Sequence, residues 1–367
     1  MLNTRRQLIA LTHHDPGADV LVVTNMWPEP ERPVYGIHVK RQVDSLAESG
    51  LRCDVLYLRG YLSPLAYPLA VATLLWTSFA WRGRYRLIHV YAGETALAAR
   101  FHVGTPMVVT YLGDDILGDR RADGTISLRA ELRARILRAH SALFTRTITV
   151  SGAMENVLPR RARRRNAVIP QGVDPSLFRP LPRDEARAAL GWATDERIAL
   201  FAATKPESPA KRLWLAREAC DLAADAVGPV RLEVAADIDP ETMPLLMNAA
   251  DCLLVTSAVE GSPNVVKEAL MCNLPVVATP AGDIEELLAG VEPSWLCAPN
   301  AQELAAAVVS CFETQQRSNG RAVAARLTEQ VIAERILAVY RDAAGDSALG
   351  ARLPVDPEWG SGVDETS

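Results

Sequence analysis

The chain has 367 residues, 49% of them hydrophobic, a net charge of −5 and a pI of about 5.8. That length carries about two domains of ordinary size, each with its own core, and the acidic balance excludes a global electrostatic pull toward nucleic acid. The six cysteines (Cys53, Cys220, Cys252, Cys272, Cys297, Cys311) form no C-x-x-C pair and read as reduced thiols of a cytoplasmic protein; the six histidines lack metal-site spacing, so no metal is expected.

The basic start "RRQLIAL" (5–11) has too short an apolar part for a secretory signal and no cleavage site after it. Beyond it, β-rich runs alternate with helical patterns. Strands are predicted at 19–25, 53–58, 87–91, 106–112, 147–151 and 167–170, and helices at 36–49 and 128–140. Within this half, "GYLSPLAYPLAVATLLWTSFAW" (60–81) carries no charge for 22 residues and approaches membrane-spanning length. Pro64 and Pro68 break its first half. It reads first as a buried helix of the N-terminal domain, second as an apolar surface turned to the inner face of a membrane, and last as a true span. "RRARRR" (160–165) reads as a solvated turn or, alternatively, as a patch for phosphate or anionic lipid.

The aperiodic, proline-rich "PQGVDPSLFRPLPR" (170–183) marks a domain boundary. A second series follows, with strands at 197–203, 231–236, 252–257, 275–280 and 295–299 and helices at 209–224 and 301–315. Near-continuous apolar strands mean sheets covered on both faces, and strand–helix alternation means parallel, doubly wound α/β. Two such domains are expected, at 1–170 and 171–326. A last helix follows at about 327–343, then a polar tail, 345–367, expected to be disordered.

One stretch concentrates chemistry. In "EGSPNVVKEAL" (260–270) a Gly-Ser-Pro-Asn turn separates Glu260 from Glu268. The helix between two buried strands starts with Ser262 as N-cap and Pro263 at its first position, and Asn273 closes it in a left-handed conformation. Glu260, Gly261 and Ser262 then lie in a loop leaving the carboxyl end of a parallel strand, where open α/β sheets bind ligands. The first N–H groups of the helix lack intrahelical partners and suit phosphate or sugar oxygens, while Gly261 lets the backbone approach closely. Glu268 shares a helical face with Asn264. A carboxylate only accepts, so it fits two neighbouring hydroxyls, as on a ribose; Glu260 could accept from a second sugar. The pattern describes a pocket for a polyhydroxylated anion such as a nucleotide-sugar. On spacing alone, an ordinary solvated helix start fits equally well.

Longer motifs add a family. "EGSPNVVKEAL" resembles the E-x7-E signature of retaining family 4 glycosyltransferases, and "ALMCNLPVVATPAGDIEELL" (269–288) continues it in register. "VIPQGVDPSLFRP" (168–180), "LFAATKPESPAKRLWLAREA" (200–219) and "VYGIHVKRQVDSLAESG" (34–50) resemble that family's interdomain segment, phosphate-binding lysine loop and N-terminal glycine loop. The resemblance implies the GT-B fold: two Rossmann-like domains facing across a cleft, with the last helix crossing back to the first domain. It implies a nucleoside-diphosphate sugar donor on the C-terminal domain, a hydroxyl acceptor on the N-terminal one, and no metal or other cofactor. Glu268 would hold the ribose and Glu260 the donor sugar. The backbone of Gly261, Ser262, Asn264 and Val265 would meet sugar and diphosphate oxygens. Lys211 would neutralise the diphosphate, and Gly36 would let the N-terminal loop close on it.

Two departures stand out. In "TYLGDDILG" (110–118) Gly113 and Asp115 match the family's strand end, but Leu112 stands where many relatives have histidine; Asp114 or Asp115 would then orient donor or acceptor. Near Lys211, Ser208 or Thr204 replaces a frequent arginine, leaving Lys205 or Arg212 as the second cation. His38 in the glycine loop is a candidate for phosphate or acceptor contact, or else an exposed helix residue. "DID" (237–239) superficially matches the metal-binding motif of another glycosyltransferase fold but reads better as a helix start. No G-x-G-x-x-G or Walker loop is present. The reading is a retaining, metal-independent glycosyltransferase of surface polysaccharide, glycolipid or specialised-metabolite assembly. Its alternatives are a nucleotide-sugar epimerase of the same architecture and a non-catalytic nucleotide-sugar-binding paralogue.

Overall fold

The structure, a computed structural model, describes residues 8–118, 125–236, 238–239 and 241–345. The tail from 346 onward, and Asp237 and Pro240 of the "DID" helix start, lie outside the described residues.

The chain forms two parallel-sheet α/β units. The first sheet has seven strands in the order β1-β3-β2-β4-β5-β6-β7: β1 Ile9–His13, β2 Val20–Thr24, β3 Cys53–Leu58, β4 Leu87–Tyr91, β5 Met107–Tyr111, β6 Arg146–Thr149 and β7 Asn166–Val168. The second has five in the order β12-β11-β10-β8-β9: β8 Ile198–Ala202, β9 Arg231–Ala235, β10 Cys252–Val255, β11 Val276–Ala278 and β12 Trp295–Leu296. All pairings are parallel except one. β1 runs antiparallel to β3, with Ile9 opposite Leu58. This strand overlaps the end of the basic stretch weighed as a leader. Its half-exposed IALTH gives neither alternation nor a buried run, and it serves to cover the open edge of β3.

β2, β3, β4 and β5 are buried along their whole length, as strands covered on both faces must be. Val39, Val43 and Leu46 of helix Ile37–Glu48 cover one face of the first sheet together with Ile332, Ile336 and Tyr340 of helix Glu329–Ala344. This return helix is locked polar as well as apolar. The buried His89 has Nδ1 2.5 Å from the Tyr340 hydroxyl and Nε2 2.7 Å from Thr110 Oγ1, and burial pulls its pKa down to about 3. Arg146 on β6 pairs with Asp342. The linker between the sheets meets the start of the return helix, where Val173 bridges Thr328 and donates to Leu327 O at 2.9 Å.

Helix Ala66–Ala80 corrects the expectation of a buried helix. Only a narrow stripe, including Ala66, Ala70 and Leu74, faces the core, while Trp76 is 62% and Phe79 76% exposed. The helix is apolar all round, so no polar face marked its outer side. Pro68 does not break it, because it stands in the first turn, where the N–H would be unpaired anyway. Among the described residues no helix is long and apolar enough to cross a membrane.

Candidate functional site

The site grows from the carboxyl end of β10. The chain leaves the strand, turns through Glu260–Pro263 and enters helix Asn264–Met271. The expected cap is corrected by one position. Pro263, extended, is the N-cap and no side chain caps the helix. Ser262 instead turns inward, its Oγ accepting from Lys267 Nζ at 3.2 Å. Asn273 closes the helix at φ 56°.

Gly261 is one point where the two units touch. A Cβ there would lie 2.8 Å from Leu112 O and 3.4 Å from the Gly113 Cα, so only glycine lets the loop after β10 meet the loop after β5. Glu260 is not free. Lys211 Nζ donates to its Oε1 at 2.5 Å, both side chains being largely out of solvent. Lys211 ends the short turn Pro209–Lys211, and Arg212 follows in the left-handed region at φ 51°. Thr256 Oγ1 fastens this turn to the β10 exit, bonding Lys211 O and Arg212 O at 2.9 Å each. Lys205, earlier in the same loop, is exposed.

Glu268 faces the other domain. Its Oε1 lies 3.8 Å from Arg41 Nη1 on helix Ile37–Glu48, and burial raises its pKa while the Arg41 and Lys267 cations oppose that rise. His38, one turn before Arg41, is half-buried. Burial first, then the Lys267 and Arg41 charges, pull its pKa down to about 4, so it is neutral at pH 7.

Three partners escaped sequence reasoning. Lys267 is fully buried; its Nζ donates to Gln171 O at 2.9 Å, and burial pulls its pKa to about 8 against the opposing charges of Asp283 and Glu268. Gln171, in the linker, accepts from Asn264 Nδ2 at 2.8 Å. Asp283, pushed up to about 6 by burial, is restrained by a bond from Ser262 and by Lys267. Each has its partner far away in sequence; the only local signal was a lysine on the apolar helix beside Glu268. Around this first helical turn Gln171 Nε2, Asn264 Oδ1 and Asp283 Oδ1 are buried polar atoms without a protein partner, positions from which ligand hydroxyls can be bonded. The N–H groups of Asn264 and Val265 open the helix beside them.

On the N-terminal side the expectations change most. Asp115, assigned to orient donor or acceptor, is buried and accepts from the backbone N–H groups of Gly113, Leu112, Gly93 and Ile116 at 2.9–3.3 Å. Burial pushes it up to about 6, with the Gly113 bond opposing most. Its carboxylate holds the loops after β4 and β5 together. Asp114 is exposed, and Leu112 packs against the core. Gly36 sits at φ 74°, and a Cβ there would come within 2.4 Å of Met26 C, so the close approach of its own domain's loop requires glycine. Among the described residues no group of three or more His, Cys, Asp or Glu could hold a metal. All six cysteines are buried and free.

A cleft between two Rossmann-like units, lined by a loop and helix start carrying two carboxylates, is the architecture of a GT-B glycosyltransferase. The comparisons agree. A family described as Glycosyltransferase Family 4 matches residues 7–177, and one described as Glycosyl transferases group 1 matches residues 204–314. A D-inositol 3-phosphate glycosyltransferase from Segniliparus rotundus is 29% identical over 217 residues, 50% of this chain; the match spans 48%, about half, of that relative. Sucrose-phosphate synthase from Thermosynechococcus elongatus superposes with a TM-score of 0.71 at 20% identity, covering 88% of this chain and 98% of that one. Anabaena HepE in complex with UDP and glucose gives 0.66 at 20% identity, covering 87% and 98%. The chain belongs to the family 4, group 1 glycosyltransferases.

Proposed function

We propose that the protein moves a sugar from a nucleoside-diphosphate sugar to a hydroxyl acceptor, with retention and without a metal ion, in surface polysaccharide, glycolipid or specialised-metabolite assembly. One observation carries this reading: Glu268, the paired Glu260 and Lys211, and the orphaned polar atoms of Asn264 and Gln171 converge on one helix start at the contact between the domains. Glu268 accepts from the ribose hydroxyls and Glu260 from the donor sugar. Lys211 and the N–H groups of the helix start stabilise charge on the leaving diphosphate. The bond from the anomeric carbon to the phosphate oxygen breaks as the acceptor oxygen bonds to the same face, and the acceptor proton passes to the leaving phosphate. Arg212 is the second cation on this reading.

The HepE structures hold UDP and UDP-glucose, which makes uridine diphosphate the first donor to test. The names of two relatives carry a phosphorylated polyol, inositol 3-phosphate in one and sucrose phosphate in the other. At the N-terminal mouth Arg32 lies over the Tyr35 and Tyr61 rings at 4.0 and 4.5 Å, a cationic aromatic surface that suits such an acceptor. Peripheral contact of 60–81 with the inner face of a membrane belongs to the same reading. The deciding experiment is a thermal-shift screen of UDP-, GDP-, ADP- and dTDP-sugars, repeated with Glu268→Ala. One nucleotide class should stabilise the wild type and lose most of its effect in the variant. An unchanged shift removes Glu268 from the ribose.

A further inference from the structure

One face of the first sheet is covered by helices Ala66–Ala80, Gly93–Ala99, Leu128–Ser141 and Arg160–Arg163, whose Leu74, Ala96, Leu137 and Ala162 share a core. Their outer side is unusual. Besides Trp76 and Phe79, helix Leu128–Ser141 presents Leu128, Leu132 and Ile136 at successive turns, Leu128 being 85% and Leu132 58% exposed, although the same helix buries Leu137 on its other side. The segment after helix Gly93–Ala99 joins helix Ala66–Ala80 to the apolar stripe of helix Leu128–Ser141. Val103, exposed, takes its N–H to Ser78 Oγ at 2.9 Å, and Arg100 lies 2.5 Å from His140 Nε2. The exposed Phe101 sits between these two ties.

Charge sorts the occupants of such a face. Residues 128–165 hold ten arginines against two glutamates. Arg146 pairs with Asp342 toward the other face of the sheet, and Arg133, Arg135 and Arg138 pair with Glu94 or Glu131, so the charge of this face rests on the 160–165 cluster. Arg160, Arg161, Arg164 and Arg165 are exposed at one end of the face. Cations without an apolar stripe would suit a nucleic acid, and leucines without cations would suit a protein partner. Exposed leucine, tryptophan and phenylalanine beside an arginine cluster match a membrane interface, with apolar side chains at the acyl boundary and guanidinium groups at the headgroups.

We propose that this whole face docks on an anionic lipid bilayer, helix Leu128–Ser141 and the 160–165 arginines contributing alongside helix Ala66–Ala80. The proposal extends the membrane contact of 60–81 given above and rests on it, but it is independent of the donor assignment. Because helices of a parallel α/β unit run back from the carboxyl ends of the strands, Leu65 and Leu128 lie at the cleft end of the face. The docked enzyme therefore holds its cleft beside the lipid surface.

The test is co-sedimentation of the full chain with two kinds of vesicle, phosphatidylcholine alone and phosphatidylcholine in which about a third of the lipid is phosphatidylglycerol. The wild type should pellet with the second and not the first. Replacing Arg160, Arg161, Arg164 and Arg165 by Gln should weaken that binding at least about tenfold, since each arginine near a charged surface contributes substantially. Leu132→Ser with Ile136→Ser should weaken it several-fold, roughly as removal of two inserted side chains requires. Unchanged nucleotide-induced thermal shifts in both variants would show that they remain folded. If only Trp76→Ser with Phe79→Ser abolishes binding while the other two variants bind normally, helix Ala66–Ala80 acts alone and the extended face is wrong. If the wild type pellets with neither vesicle, or binds RNA in its place, both membrane statements fall.

Discussion

The two sheet domains are built alike but carry their chemistry differently. In the C-terminal domain most of the functional groups are local. Glu260, Ser262, Asn264, Lys267 and Glu268 fall within one loop and helix, and Lys211 is strapped to the same strand end by Thr256. In the N-terminal domain the equivalent loop after β5 spends its carboxylate, Asp115, on its own backbone, and the groups that reach the cleft, His38 and Arg41, come from a helix remote in sequence from that loop. On the proposed function, donor recognition is therefore compact and readable. The N-terminal side, to which the proposal assigns the acceptor, is a product of tertiary assembly.

The sharpest way to break this contrast is Glu268→Ala. Two charge-assisted bonds at roughly 1.5–3 kcal/mol each predict a loss in kcat/KM of about a hundredfold or more. Steady-state kinetics at subsaturating donor measures it, and a loss below tenfold would mean the donor does not rest on the C-terminal carboxylate. Lys211→Ala should come next, at roughly a hundredfold in kcat, because it removes a leaving-group cation and leaves Glu260 unpaired. Its N-terminal counterpart, Arg41→Ala, should cost only about tenfold, as a partly exposed pair at 3.8 Å implies. Equal losses would erase the asymmetry.

Asp115→Ala should separate holding from chemistry. It strands several buried N–H groups, so urea unfolding should show a loss of about 2–3 kcal/mol while kcat, measured where the variant is folded, stays within a few-fold. A collapse of kcat in a stable variant would return Asp115 to the reaction. The smallest effect concerns His38. Its folded pKa, about 4, lies below the ordinary 6.5, so between those values the unfolded chain binds more protons. Stability of the wild type relative to His38→Gln should then rise as pH climbs from about 4 to about 6.5 and stay flat above. The opposite slope would place a carboxylate beside the imidazole.

Much of the fold was legible because its strands are continuous apolar runs and its helices separate them. What escaped had a physical cause in each case. β1 is short and half-exposed, an edge strand defined only by its partner β3. Helix Ala66–Ala80 has no polar stripe, so its sequence could not say which side faces out. Ser262 looked like a cap because serine caps helices, but a buried lysine five residues on claimed its hydroxyl. Lys267 and Asp283 are sixteen residues apart, and Gln171 lies in the linker between the sheets; only folding makes them neighbours.

The helix Glu329–Ala344 supplies one wall of the first domain from the far end of the second. During translation, β2 through β7 leave the ribosome long before the helix that packs on β4 and β5, whose Leu87, Tyr91 and Val108 share its core. The first half must therefore wait, incompletely closed, while the second is made, and the nascent chain is a candidate client for chaperones throughout that interval. The same covalent order forbids cutting the protein at its hinge into two self-sufficient pieces: a fragment ending before Glu329 should bind a hydrophobic dye that the intact chain does not.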